Sequence, residues 1–438
     1  MSTRNRINAV EKQAALIWQQ LAGRELVSSK DGSVTVIYPG RCNGDYGPDF
    51  RDAVIVYNSL LKGDVEVHIK SSDWYGHQHH ADARYNSVIL HVVLWQDDES
   101  AVMLQNGKTI PVLCLAQALR HQAYLLPYRL PCYQILDSMN IQTLGKLLNS
   151  AGETRFTQKA TRFQYEMAES EAAQVLFRGI MRALGYARNT QPFEALAHRL
   201  PLNYLEAHNS LAVKQALLLG TAGLLPSQRR QGQSSTEKET RELEAIWQQA
   251  GKSTETMKES DWNLSHIYAN NSPVRRIIAL SYLLERYQPK LLDSVLQLVR
   301  DTCFSDGHRV LEKGLAVAGD GYWRDHFDFD EESRIKGGAL LGRNKAGEIV
   351  VNVILPFAFA WAKIARDTQL ATKARKLYHS YPKLAQNEIT LHMANQLCLD
   401  QFAGFTACHQ QGLIHIFRNY CREGKCSDCL LVHQAGVV

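Results

Sequence analysis

From Asp64 to Lys70 the sequence alternates without exception, with Val65, Val67 and Ile69 interleaved between Asp64, Glu66, His68 and Lys70. On a strand, a period of two sends the four polar side chains to one face and the aliphatic ones to the other. Asp49 stands just before the preceding β-rich run, where hairpin pairing would bring it near Glu66. Phosphodiester hydrolysis asks for such a set. Two carboxylates and water suit Mg²⁺, the ion polarises phosphoryl oxygens and lowers the pKa of an attacking water, and a nearby cation steadies developing charge. On this reading Asp49 and Glu66 hold Mg²⁺ or Mn²⁺, Lys70 positions the water, and His68 or His77 serves as the base. The plainer reading of an isolated alternating strand is a solvated polar face.

Downstream lie His77, His79, His80 and Asp82, then a strand-like run carrying His91. Histidines this dense beside an acidic strand can bind metal, contact phosphate or act as bases. His77 and His80, three residues apart in a turn-prone stretch, are the preferred pair of ligands. His91 lies in an apolar run and reads as a hydrogen-bonded core residue. A second group ends the chain: Cys421, Cys426 and Cys429, a C-x4-C-x2-C pattern. Three thiols of this spacing suit Zn²⁺ or, less readily, an iron–sulfur cluster. A fourth ligand is needed for a closed zinc site. His433, Cys303, Cys398 and Cys132 are all open candidates, whereas Cys408 sits a long helix away from Cys421, about 20 Å at 1.5 Å per residue.

The elements that must position these groups fall into three parts. Residues 1–125 predict an α+β domain: an amphipathic helix with Ile7, Val10, Ala14, Ile17 and Leu21 on one face, then short β-rich runs at 34–38, 53–57, 65–69, 88–95 and 109–113. The loop from Asn58 to Gly63 makes the second and third runs a hairpin. Residues 126–400 predict a mainly α-helical region with a polar loop near 226–240, and 401–438 a C-terminal helix with the cysteine cluster. Within the helical region Phe163, Met167, Leu176, Ile180 and Leu184 predict one stripe ending at Gly185. Ser272-Pro273 predicts a helix start, which leaves Arg275 and Arg276 facing the helix dipole and in need of a carboxylate or phosphate partner. The acidic stretch 325–330 reads as an exposed loop.

Pro48-Asp49 followed by Glu66 resembles the restriction-endonuclease-like nuclease superfamily, whose signature is Pro-Asp, a spacer, then Asp/Glu-x-Lys on the next strand. The resemblance implies a mixed sheet with a flanking helix, and it gives Glu11 the place of an additional metal-binding acid. This sequence departs at the lysine: His68 stands two residues after Glu66, and Lys70 comes about 7 Å further along the strand. The stretch from Gly47-Pro48-Asp49-Phe50 through Glu66-Val67-His68 and Ser72-Asp73-Trp74 to Val93 resembles an uncharacterised bacterial domain-of-unknown-function family. That second resemblance extends over nearly the whole chain, including Tyr381-Pro382-Lys383-Leu384 and Gln411-Gly412-Leu413-Ile414, and implies no activity.

At 438 residues, 45% hydrophobic and 21% charged, the chain has the composition of a globular protein of more than one domain. Its net charge of +5 suits an anionic partner without requiring one. The first residues lack the apolar run of a secretory signal, and the apolar stretch 349–365 is broken by Asn352, Pro356 and Lys363. These features predict a cytoplasmic protein that does not enter a membrane, with reduced cysteines. The leading expectation is a metal-dependent nuclease acting on DNA or RNA, or a catalytically altered relative. Two alternatives stand beside it: a non-enzymatic nucleic-acid-binding or assembly protein that keeps the fold, and a hydrolase of a small substrate centred on the histidine loop.

Overall fold

In the computed structural model, residues 3–28, 32–119, 130–135, 139–186, 188–229, 237–251, 255–264, 271–329, 331–332, 338–399 and 404–434 are described. The alternating runs near the N-terminus form one mixed sheet. Its strands are β1 (Glu25–Ser28), β2 (Gly32–Tyr38), β3 (Arg41–Cys42), β4 (Phe50–Tyr57), β5 (Ser59–Lys70) and β6 (Val88–Trp95), with β7 (Val102–Met103) and β8 (Thr109–Ile110) as a separate hairpin, and β9 (Val112–Cys114). The order is β1-β2-β4-β5-β6-β9, with β3 paired to β4. Pairing is antiparallel from β1 to β5 and parallel from β5 through β6 to β9. Helix α1 (Thr3–Gln19) packs across β5 and β6, where Ala14, Trp18 and Leu21 meet Val65, Val67, Leu90 and Val92 in the core.

Two details of the hairpin differ from the expected loop at 58–63. β5 begins at Ser59, so the turn is Asn58 alone, in the left-handed region at φ 57°. Gly63 lies inside the strand because the neighbouring chain leaves no room for a side chain: a Cβ there would meet Ile89 Cγ2 at 2.4 Å and the Ser87 carbonyl at 2.5 Å. A parallel pair cannot be closed by a tight turn. The β5–β6 connection is therefore a crossover, residues 71–87, built from α2 (Asp73–Gly76) and the 3-10 turns His79–Ala81 and Ala83–Tyr85. All the downstream histidines except His91 fall on this crossover.

The chain divides into two compact units, one of residues 1–152, 386–404 and 409–438, the other of 153–385 and 405–408. The C-terminal part thus belongs with the N-terminal sheet rather than standing by itself, and the first unit runs past residue 125. Ion pairs and close packing account for this. Arg422 meets Asp52 at 3.1 Å, Glu423 meets Lys62 and Glu388 meets Arg41 at 2.5 Å, and Gly424 sits against Val54 and Ile37. Tyr38 hydrogen-bonds His392.

The second unit is helical, as the sequence pattern predicts, around a continuous apolar core. The predicted stripe 163–184 belongs to two helices, Ile141–Glu169 and Ala172–Leu184. Gly185 caps the second with an ordinary right-handed φ of −71°; it is glycine because a Cβ would strike the Asn189 carbonyl at 2.4 Å. Arg343–Ala365 is the one helix, among the described residues, long and apolar enough to cross a membrane. Its Val350, Val351, Leu355, Phe357 and Ala358 are part of the helical core. The start of the polar loop is ordered by Arg229, which bonds Asp328 at 2.8 Å and so ties down the acidic stretch; residues 230–236 and Asp330 lie outside the described residues.

Candidate metal centre

β5 reaches beyond the start of β4, whose first residue Phe50 pairs with Val65. The residue before it, Asp49, therefore faces Glu66. The Asp49 N–H donates to Glu66 Oε2 at 2.9 Å, and Asp49 Oδ2 accepts from the Val67 N–H at 3.0 Å. This reciprocal pair holds two carboxylates side by side where water is largely excluded, Glu66 being only 5% exposed. Burial, then repulsion from Glu66, raises Asp49 to about 7. Burial raises Glu66 to about 8, with Glu11 adding repulsion. Glu11 is itself raised, first by burial, and its nearest charged influences are His77 and Asp73. Thus α1 delivers a third acid to the same neighbourhood. Neither lysine nor arginine is among the largest influences on Asp49 or Glu66.

The crossover supplies imidazoles instead. His77 Nδ1 lies 3.2 Å from His68 Nε2, His68 Nε2 lies 3.5 Å from Glu66 Oε1, and His79 Nε2 lies 3.3 Å from the same oxygen. The donor atoms of His68, His77 and His79 all lie within 4.8 Å of one another. A tetrahedral ion with bonds of about 2.0–2.2 Å holds its donors about 3.3–3.6 Å apart, and the His68–His77, His68–Glu66 and His79–Glu66 separations are of that size. His79 Nε2 is buried and finds no hydrogen-bond partner among the described residues, which fits a nitrogen able to ligate a cation. Gln78, in the left-handed region at φ 61°, turns the chain between His77 and His79 so that both reach the strand.

Aromatic walls keep the imidazoles neutral. Tyr85 stacks on His79 with centroids 3.8 Å apart, and Trp74, fully buried, packs on both His79 and His91. Burial lowers His79 to about 4 and His68 to about 2, with His91 adding to the latter. His91 sits opposite Glu66 on β6, has no exposed surface, and bonds His68 Nδ1 at 2.9 Å; burial lowers it to about 3. A neutral imidazole whose other nitrogen is fixed by a hydrogen bond is the usual form of a histidine ligand.

Not every expected residue joins the group. His80 turns away and packs on Tyr75, centroids 5.0 Å apart, so His79 replaces it beside His77. Lys70 ends β5 opposite Trp95, with its side chain 56% exposed and its ammonium 3.7 Å from Asp97. Strand geometry puts it on the right face and carries it too far along. Burial lowers His68 strongly, and its Nε2 faces Glu66 and His77 rather than solvent. His77, the exposed member, keeps contact with solvent. Arg275 and Arg276 of the helical unit are met by neutral acceptors among the described residues. Arg275 donates to the carbonyls of Trp323, His326 and Gly338, and Arg276 to those of Leu340 and the side chains of Tyr186 and Asn271. Cys421 and Cys429 are buried and Cys426 half-buried, all three as free thiols.

His79 carries a signal that spacing alone underweights, while His91 is the hydrogen-bonded core residue that its apolar run predicts. His79 shares a period of two with His77, and the partner of His91 depends on which strand lies beside β5. No curated protein and no solved structure matches the chain. The model of one family, described as a protein of unknown function (DUF2851), matches residues 11–387, and the chain belongs to that family.

Proposed function

We propose that the N-terminal unit is a metal-dependent nuclease, hydrolysing phosphodiesters of DNA or RNA at the Asp49–Glu66–histidine centre. One observation carries the reading: donor nitrogens of His68, His77 and His79 gather within 4.8 Å of one another, with Glu66 Oε1 3.5 Å from His68 and 3.3 Å from His79, beside the Asp49–Glu66 carboxylate pair. Glu66, His68, His77 and His79 would hold the ion, with Asp49 and Glu11 adding negative charge. Bound there, a divalent ion supplies Lewis acidity toward a phosphoryl oxygen and a water of lowered pKa. Imidazole donors favour Zn²⁺ over Mg²⁺, while the carboxylates keep Mn²⁺ in play. Asp49, hydrogen-bonded to the Val67 N–H beside Glu66, would be the group that accepts the attacking water's proton. Tyr85 and Trp74 exclude water from the inner side, and the exposed His77 marks the side open to substrate.

Lys70 favours a second reading, in which the unit binds nucleic acid and ion without turnover, because its ammonium lies with Asp97 rather than with the carboxylates. Purified protein offered labelled single- and double-stranded DNA and RNA with Mg²⁺, Mn²⁺ or Zn²⁺ separates the two. Cleavage is expected, and Glu66→Gln should lower it by more than the roughly 10–100-fold typical of an outer-shell partner. Cleavage unchanged by Glu66→Gln removes the site from consideration. Retention of nucleic acid without cleavage by any ion supports the second reading.

A further inference from the structure

The C-terminal cysteines have a fourth companion that lies nearly three hundred residues earlier. Cys132 sits in the 3-10 turn Pro131–Gln134, and the short helix Leu430–Gln434, which begins directly after Cys429, packs against that turn. The Gln396 amide nitrogen lies 3.1 Å from Cys132 Sγ and 3.8 Å from Cys421 Sγ, so the two sulfurs flank one donor. Tight turns fold the intervening chain: Gly424 N–H donates to the Cys421 carbonyl at 3.1 Å, and Cys429 N–H donates to the Cys426 carbonyl at 3.2 Å. The Val432 and His433 N–H groups each donate to the Cys429 carbonyl at 3.0 Å, so the closing helix starts on that cysteine. Cys132, Cys421 and Cys429 are buried, at 7%, 6% and 4% exposure. The other candidates for a fourth ligand are exposed: His433, Cys303 and Cys398.

We propose that Cys132, Cys421, Cys426 and Cys429 form a four-thiolate site for a thiophilic metal centre, which fastens the C-terminal segment to the 130–135 turn. The thiolate is the ligand form, and binding of a cation of high sulfur affinity displaces the protons. No disulfide links these residues; no three of the four sulfurs lie within 4.8 Å of one another, a spacing nearer that of an iron–sulfur cluster than of a single zinc ion, which holds its sulfurs about 3.8 Å apart.

The test is metal analysis of the full chain purified without oxygen or chelator, with iron, zinc and acid-labile sulfide each measured per chain. One equivalent of zinc bound through sulfur, or iron with matching sulfide and visible charge-transfer absorption, is expected. Cys132→Ser and Cys426→Ser should each lower that content several-fold, whereas Cys303→Ser leaves it unchanged. His77→Ala separates this site from the histidine centre: any zinc it removes belongs to that centre, and the sulfur-bound metal stays. Should the cysteine variants fold poorly, the unaltered protein decides alone: titrating its thiols with a mercurial must release zinc or bleach the cluster in step with four protected cysteines. Metal content indifferent to Cys132→Ser overturns the proposal, as does a protein with no zinc or iron, or a Cys132–Cys421 disulfide.

Discussion

The two units treat buried charge in opposite ways. In the helical unit the buried or half-buried ions Glu166, Lys214 and Arg275 are each answered. Glu166 is met by Arg162 at 3.2 Å, Arg178 at 3.8 Å and Arg182 at 3.0 Å, and Arg182 also reaches Glu194. Lys214, 1% exposed, pairs with Glu285 at 2.8 Å, and Arg275 spreads its charge over three carbonyls. In the N-terminal unit Asp49 and Glu66 face each other and Glu11, with neutral histidines around them. Pairing of the first kind holds a structure together once the charges are buried. An arrangement of the second kind is unfavourable as it stands and makes sense as a place for a cation.

Stability measurements can break this contrast. Arg275→Ala deletes a fully buried guanidinium, opens a cavity and leaves the carbonyls of Trp323, His326 and Gly338 without their donor. A loss of about 3–5 kcal/mol is expected. Glu66→Gln in metal-free protein should cost nothing, because it removes a carboxylate that the fold already disfavours. Urea midpoints of the two variants measure the difference. Equal destabilisation by both would mean that Glu66 is as structural as Arg275.

A smaller effect should appear in the pH dependence. Asp49 and Glu66 have raised pKa values when folded, so their contribution to stability is full below about 4 and is lost as pH rises through about 7 and 8. His68, His79 and His91 are lowered, so theirs is full above about 6.5 and is lost as pH falls toward 4. Opposed in this way, the two sets put the stability maximum of the metal-free site at about pH 6–7. His379 of the helical unit behaves differently: bonds to Cys408 and Glu153 raise it to about 9, so its support fades as pH rises through 9 whether or not metal is present. A divalent ion displaces protons from the carboxylates alone. The Tm of metal-loaded protein should therefore fall less between pH 6 and 8.5 than that of chelator-treated protein. Parallel curves would deny the carboxylates a role in binding.

How much of this was legible depends on the range of the contacts. Alternation through 64–70 is local, and the hairpin that sets Asp49 against Glu66 follows from adjacent runs, so the mixed sheet and its carboxylate pair could be read directly. The choice of His79 over His80 turns on one left-handed residue, Gln78, and glutamine does not advertise that conformation. The partner of His91 and the place of Cys132 are harder still. The first requires knowing that β6 lies parallel to β5, and the second that the chain's end returns to a turn near residue 132. Arg275 and Arg276 misled for a related reason: carbonyls from 323–340 are acceptors that no side-chain pattern reveals.

Lys70 gives the smallest expected effect and the sharpest discrimination. In a nuclease that relies on the lysine of the Asp/Glu-x-Lys pattern, its loss removes the charge next to the attacking water and should reduce cleavage by about 10²–10³-fold, the scale of one lost electrostatic donor. Here the side chain is more than half exposed and lies 3.7 Å from Asp97, a surface pair whose net worth is at most about 1 kcal/mol. Lys70→Ala should thus change both stability and metal-dependent cleavage by less than about threefold, while His77→Ala weakens ion binding. The same cleavage assay read across Mn²⁺ concentrations checks this. A large fall in kcat for Lys70→Ala, at unchanged ion affinity, would mean that the strand's end swings the ammonium to the carboxylates when substrate is bound, and the histidines would then be supporting an ordinary lysine-dependent centre rather than replacing it.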